Sequence, residues 1–337
     1  MSVDPVRAIA DAVLYEGYIL WPYRRSATKN RQRWTFGGVY PRAHSEGRDD
    51  DPWTMQTDCL VEGGADTEVE VRVRFLQVVE RQLLEETAHG LEPVDQLAVG
   101  DELLLSWEEA REREVAVPVI RPHSPESPRV AAVEVPEGTE HEELTDAAGA
   151  RVGATARAWR PLRGSVTTSS TALRPGLFRL RIRIANESPW KGADREDALK
   201  QTFASAHTVL RVKGGAFVSL TDPPEELLDE VASCRNQGTW PVLVGEPGDR
   251  STLLSAPIIL EDYAQIAPES PGDLFDGGEI DQLLTLNILG LTDEEKREMR
   301  GTDPRAREIL ERTENLSPEE LMGLHGRFRE LQSVRRS

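Results

Sequence analysis

Between Glu68 and Val79 the chain alternates: Val69, Val71, Val73 and Phe75 are apolar, while Glu68, Glu70, Arg72 and Arg74 are charged. A period of two puts all the apolar groups on one side of an extended backbone, so this segment is a half-buried strand. Phe178 to Ile184 repeats the pattern, with Phe178, Leu180, Ile182 and Ile184 against Arg179, Arg181 and Arg183. Its arginine face could lie beside an acidic strand face such as Glu68 and Glu70. One-faced alternation of this kind belongs to antiparallel sheets with a single buried side.

Other segments fill in the architecture. Pro5 to Leu14 reads as a short amphipathic helix, capped by Asp4 and opened by Pro5. Gly17–Trp21, Arg33–Tyr40, Leu103–Ser106, Val115–Ile120 and Val130–Val135 read as strands. VERQLLEETAHG, ending at Gly90, reads as a helix. Gly214-Gly215 reads as a hairpin turn between Val209–Val212 and Phe217–Leu220, and EPGDR as the loop of a second hairpin. Asp194 caps a helix running to about Ala206, and Asp222-Pro223 opens another. The acidic, Gly-containing stretch 136–150 reads as a turn or internal linker, and PLRGSVTTSSTALRPG as a polar loop. After residue 260 the cues become helical. Thr292–Glu295 and Ser317–Glu320 are capping boxes, Asp303-Pro304 opens a helix, and Leu321, Leu324, Phe328 and Leu331 share one face. The expected fold is α+β: an antiparallel β-rich body over 1–260, then an acidic loop and helical C-terminal region over 261–337.

The chemistry-bearing signals are few. The sequence has no phosphate-binding glycine loop, no HExxH and no GxSxG motif. Its six histidines lack ligand spacing. Cys59 and Cys234 are too few for a disulfide framework and read as buried free thiols. Glu261, Asp262, Glu269, Asp273, Asp276, Glu279 and Asp281 form an acidic cluster without calcium-loop spacing, read as a solvated loop. Asp49-Asp50-Asp51 reads as an ordinary solvated charge run. No catalytic residue, metal site or cofactor is assigned.

One segment stands out by contrast. The 337-residue chain carries a formal charge of −19. Yet no acid lies between Glu16 and Glu46, where Arg24, Arg25, Lys29, Arg31, Arg33 and Arg42 are basic. Tyr15, Tyr18, Trp21, Tyr23, Trp34, Phe36 and Tyr40 fall in the same window. Arginine forks beside rigid aromatic rings are the composition of binding hot spots. Tyr23, Arg24, Lys29, Asn30, Arg33 and Trp34 are therefore expected to form one partner-binding surface between two strands. Only five of the forty basic residues are lysine, so no single arginine is evidence of function. The acidic balance argues against nucleic acid as partner. The absence of a long apolar run argues against membrane insertion, and the N-terminus lacks a signal-peptide pattern, so a cytoplasmic protein is expected.

Two stretches, LYEGYILWPYRRSATKNRQRWTFGGVYP (Leu14 to Pro41) and IILEDYAQIAPESPGDLFDGGEIDQLLTLNILGLTDEEKREMRGTDPRAREILERT (Ile258 to Thr313), resemble a family of uncharacterised bacterial proteins encoded beside uptake nickel–iron hydrogenase genes. The resemblance implies a role in assembling, maturing or supporting such a hydrogenase, with a hydrogenase subunit or precursor as protein partner. It implies no catalytic residue. A nickel-delivery role fits poorly, since metal-delivery proteins usually show His or Cys clusters and this chain has neither. Two other classes stay open on the residues. One is an enzyme with a pocket near Glu16, Tyr23, Lys29 and Asn30; the other is a structural scaffold.

Overall fold

The alternation around Val71 belongs to a strand far longer than its pattern marks. In the computed structural model, β1 runs from Thr54 to Thr87. The structure describes residues 5–15, 37–48, 50–100, 102–124, 128–264 and 291–302, with positions 307, 310, 311 and 313–315. A straight strand of this length would extend roughly 110 Å. β1 instead breaks register between Gly63 and Glu68 and again between Arg74 and Leu76. The first break is stitched by Thr67, whose hydroxyl accepts from the Gly64 N–H at 2.8 Å and donates to the Gly214 carbonyl at 2.7 Å. A side chain at Gly63 would collide with that hydroxyl, its Cβ lying 2.1 Å away.

β1 organises the molecule by pairing along both edges. Its first part pairs with β10 (Leu177–Asn186). Its middle lies between β5 (Trp107–Ile120) and β11 (Ala204–Phe217). Its last part lies between β2 (Gly90–Val94) and β8 (Arg151–Trp159). β10 continues to β9 (Leu162–Arg174) and β6 (Arg129–Val135). β11 continues to β13 (Thr252–Ala256) and β12 (Trp240–Leu243), and β7 (Gly138–Thr145) edges β8. All ladders are antiparallel in this eleven-stranded sheet; β3 (Gln96–Val99) and β4 (Glu102–Leu105) form a separate pair.

The sheet curls over its main core cluster. Met55, Cys59, Val61, Val69, Val71, Val73 and Phe75 of β1 pack with Phe178, Leu180, Ile182 and Ile184 of β10. Val133 of β6 and Leu243 and Leu253 of β12 and β13 join the same cluster, although they come from opposite ends of the strand order. The described helices are too short to cover that face, so the sheet must cover it with itself.

This corrects the expected α+β class. The fold is β-rich, and the described residues hold no substantial helical C-terminal region. The longest described helix is α1 (Pro5–Tyr15). α2 (Arg42–Ser45), α3 (Arg195–Leu199) and α4 (Leu228–Ala232) each span about a turn. α5 (Asp293–Thr302) begins where the first capping box places it and lies on β4. The later cues, at Asp303-Pro304 and Ser317–Glu320, fall outside the described residues.

Five local readings also change. VERQLLEET is the end of β1, because ladders on both edges satisfy its backbone and Arg81 finds buried partners. PLRGSVTTSST is largely β9. Gly214-Gly215 sits inside β11, opposite the β1 break, where a Cβ on Gly215 would lie 2.5 Å from the Glu62 carbonyl. The 136–150 stretch contains β7, paired with β8 from Gly138 to Thr145. Asp194 does cap α3, its carboxylate accepting from the Asp197 N–H at 2.8 Å, but that helix ends before β11 begins.

Candidate functional site

Tyr23, Arg24, Lys29, Asn30, Arg33 and Trp34 lie outside the described residues, as does Glu16. The structure does place both flanks of their segment. On one side, the Val13 carbonyl of α1 accepts from the Ser205 hydroxyl at 3.0 Å. On the other, the Gly37 carbonyl accepts from the Ala206 N–H at 3.0 Å. Two positions twenty-four apart in sequence are thus fixed to consecutive residues of β11. Leu14 and Tyr40 also share one apolar cluster with Leu76, Ala198 and Ala204. Gly37 is required at this anchor: its φ is +58°, and an added Cβ would lie 2.5 Å from Pro257 Cγ.

Directly beside the anchor is a buried polar cluster. Val39 bridges to Phe203, and the buried Asn186 amide donates to the Val39 carbonyl at 2.8 Å, fixing the backbone that presents Tyr40. His44 Nε2 meets Asp51 Oδ2 at 2.9 Å. Arg195 Nε donates to both Asp51 oxygens, at 3.1 and 3.2 Å, and its Nη2 donates to the Tyr40 hydroxyl. The His44 ring is stacked on Tyr40 at 5.3 Å and meets the edge of Trp190 at 5.1 Å. Trp190 is fixed in turn by its N–H to Asp197 at 3.0 Å, and Asp197 pairs with Arg160 at 2.7 Å.

The electrostatics follow from this packing. Burial pushes the Asp51 carboxyl up, but the His44 hydrogen bond and the Arg195 charge outweigh it and hold Asp51 below its ordinary value. Burial raises the Tyr40 phenol well above its ordinary range, against the Arg195 charge. Asp51 is therefore not a solvated member of an acidic run; it is 4% exposed and joins α2 to α3. His44 Nδ1 has no hydrogen-bond partner, and the whole imidazole is enclosed. Enclosed in this way, the ring serves as a strut between Tyr40, Trp190 and Asp51, with no face open to a reacting molecule.

At the surface the same segment presents Trp53. The Arg42 guanidinium lies 4.8 Å from its ring centroid and that of Arg183 lies 5.3 Å away. A third cation, Arg195, sits 5.1 Å from the Tyr40 ring. Such contacts are worth about 0.5–1 kcal/mol each when exposed. Arg42 also has Glu46 at 3.7 Å, but among the described residues Arg183 has no carboxylate within ion-pair distance. The arginine–aromatic composition read from the sequence thus continues onto described residues. Tyr40 and Arg42 lie in the basic window itself. Trp53, Arg183 and Arg195 carried no signal of their own; the β1–β10 register and α3 bring them in.

Other candidates resolve into structural roles. Asp262 accepts from the Leu243 N–H at 2.8 Å, from the Thr221 hydroxyl at 2.8 Å and from the Ser219 hydroxyl, so its oxygens are committed to holding loops. Glu269, Asp273, Asp276, Glu279 and Asp281 lie outside the described residues. Among the described residues no group of His, Cys, Asp and Glu is arranged to hold a metal ion, and no helix is long and apolar enough to cross a membrane. The β10 arginines do not face Glu68 and Glu70; Arg181 instead grips the buried Asp58 through two 2.7 Å bonds. No protein-family model matches the chain, and none of the curated proteins matches it.

Proposed function

We propose that this protein is a non-catalytic accessory factor that works in the cytoplasm by binding a protein partner, and that the partner is a hydrogenase subunit or its precursor. The observation that carries the binding role is the Trp53 surface. An indole flanked by Arg42 and Arg183 stands beside the point where the basic aromatic segment is tied to β11. Among the described residues no acid pairs with Arg183, and aromatic–arginine surfaces of this kind anchor protein partners. The hydrogenase rests on the resemblance of Leu14–Pro41 and Ile258–Thr313 to proteins encoded beside such enzymes.

The test is affinity purification of the tagged protein from its native cell, with mass spectrometry of what accompanies it. Hydrogenase subunits should co-purify with the wild type and be lost with the R24E/R33E double variant, whose thermal stability stays close to wild type. Absence of hydrogenase subunits from the wild-type sample would refute the partner. An unfolded double variant would make the two arginines structural and remove the segment from the interface.

A further inference from the structure

The outer faces of the sheet treat their arginines in two ways. Across β5, the later part of β1, β7 and β8, on both sides of the sheet, guanidiniums are matched to acids, except that Arg113 rests on Gln77. Arg72 meets Glu114 at 2.7 Å, Arg111 meets Glu140 at 2.7 Å, and Arg157 meets Glu109 and Glu142, each at 2.8 Å. Arg74 pairs with Asp11 at 2.5 Å and Arg151 with Glu86 at 2.5 Å.

The face formed by β9 and β10 is different. The odd-numbered residues of β10 point outward, since Leu180, Ile182 and Ile184 fill the core. Arg181 is tied to Asp58, but Arg179 reaches only the Ser233 carbonyl and hydroxyl, at 3.4 and 3.3 Å. Among the described residues Arg183 has only the Trp53 ring. On β9 the exposed Arg163 has no ion pair among the described residues. Thr167 and Ser169 stand in register with Arg183 and Arg181. Val130, on β6, stands opposite Thr167 and is 62% exposed. The face thus carries small side chains and guanidiniums without ion pairs among the described residues, with Glu134 in register with Arg163, and it runs on to Trp53.

We propose that this face docks an extended, acidic segment of a partner protein, laid along β10 with carboxylates on Arg183, Arg179 and Arg163. The inference rests on the binding role proposed above and names the chemistry of the partner. Side chains four apart on an extended peptide recur about every 13.6 Å, the separation of Arg179 and Arg183 along β10. Carboxylates at that repeat meet arginines as bidentate pairs, and the hydroxyls of β9 accept or donate between them. The net charge of −19 repels any polyanion at long range, so only the local arginines attract the segment, and a nucleic acid is an outcome the test below separates.

The full-length protein is titrated against a fluorescein-labelled dodecapeptide of alternating glutamate and threonine, followed by fluorescence anisotropy. A lysine–threonine peptide and an oligothymidylate serve as comparators. The acidic peptide should bind alone of the three, weaken as salt is added, and lose about tenfold in affinity in R163E/R183E. K213E/R297E, with the same change in charge at distant exposed positions, should bind like wild type. Equal binding by the two variants, equal or tighter binding of either comparator, or no binding at millimolar peptide would overturn the proposal. Purification from the native cell separates the two readings. Hydrogenase subunits retained by R163E/R183E but lost by R24E/R33E would overturn this face and keep the proposed function. No subunit in the wild-type sample would refute the hydrogenase, while the peptide titration still decides the face.

Discussion

Acidification should loosen the ground on which α1 is docked, and the group responsible is His207. Its side chain is fully buried in β11, with Nδ1 against the Ser205 carbonyl at 3.1 Å and Nε2 without a partner. Burial lowers its pKa, the Ser205 hydrogen bond raises it, and the nearby Arg74 charge lowers it; the result is about 4 against an ordinary 6.5. Arg74, its cross-strand neighbour, is itself held by Asp11 of α1 and by Glu112 and Glu114 of β5. As the pH falls below 6.5, the unfolded chain binds a proton that the folded chain refuses, so stability falls. The contribution is fully present above the unfolded value and is lost progressively down to the folded value. At pH 5 the loss is about 2 kcal/mol, rising to about 3 kcal/mol near pH 4, from 1.36 kcal/mol per unit. Urea unfolding of wild type and H207Q at pH 7.5 and pH 5 isolates this term, because Gln does not titrate and can still donate to Ser205. Wild type should lose about 2 kcal/mol more than H207Q over that interval. Asp51 and Asp197, both held below the ordinary carboxylate range, titrate lower still and affect both proteins alike. A stability gap between the two proteins that does not change with pH would refute the reasoning.

Two further outcomes follow from single positions. Gly37→Ala forces a Cβ onto a backbone at φ +58° and into Pro257, and should lower stability by about 2–3 kcal/mol in urea unfolding, with no loss expected from Gly47→Ala, whose Cβ would meet nothing within 4 Å, beyond its own positive-φ strain of about 1 kcal/mol. Burial, and then the charge of Asp58, push the Cys234 thiol up to about 11 from 9.0, and burial raises Cys59 further. A thiol reagent at pH 8 should therefore label native Cys234 about 100-fold more slowly than a free thiol and leave Cys59 untouched, with both labelled in urea; rapid native labelling of either would contradict their burial.

What could be read from the residues depended on how a strand hides its polar groups. Val69–Phe75 and Phe178–Ile184 were legible because each has one apolar and one charged face. The continuation of β1 was not, because Arg81 occupies an inward position. There it is satisfied by Glu109 at 2.9 Å and by the Leu105 and Gly301 carbonyls at 2.7 and 2.8 Å, partners that no local pattern foretells. β9 was illegible for the opposite reason: Ser and Thr sit on both of its faces, so alternation disappears while the backbone stays extended. Tyr40 and Arg42 of the candidate surface were visible in a basic aromatic window. Asp51 looked like part of a solvated charge run, since burial of a charge requires a partner and its partner, Arg195, is 144 positions away.

The arginine content made sequence alone a poor guide, and the same content becomes informative once partners are assigned. With 59 acids against 40 basic residues, an arginine on this sheet has every opportunity to meet a carboxylate. Arg72, Arg74, Arg111, Arg151 and Arg157 all do so, across β1, β5, β7 and β8. Among the described residues Arg163, Arg179 and Arg183 have no ion pair, and an acidic protein that leaves them so keeps their pairing capacity for something outside itself. Each exposed pair is worth only about 0.2–1 kcal/mol, so stability gives little reason either to supply or to withhold the missing acids. Complementarity to a partner does give a reason, since unmatched like charges steer encounter and set register more than they add affinity. The Trp53 indole, held by Arg42 and Arg183 at the edge of that face, supplies the apolar anchor that charges alone lack.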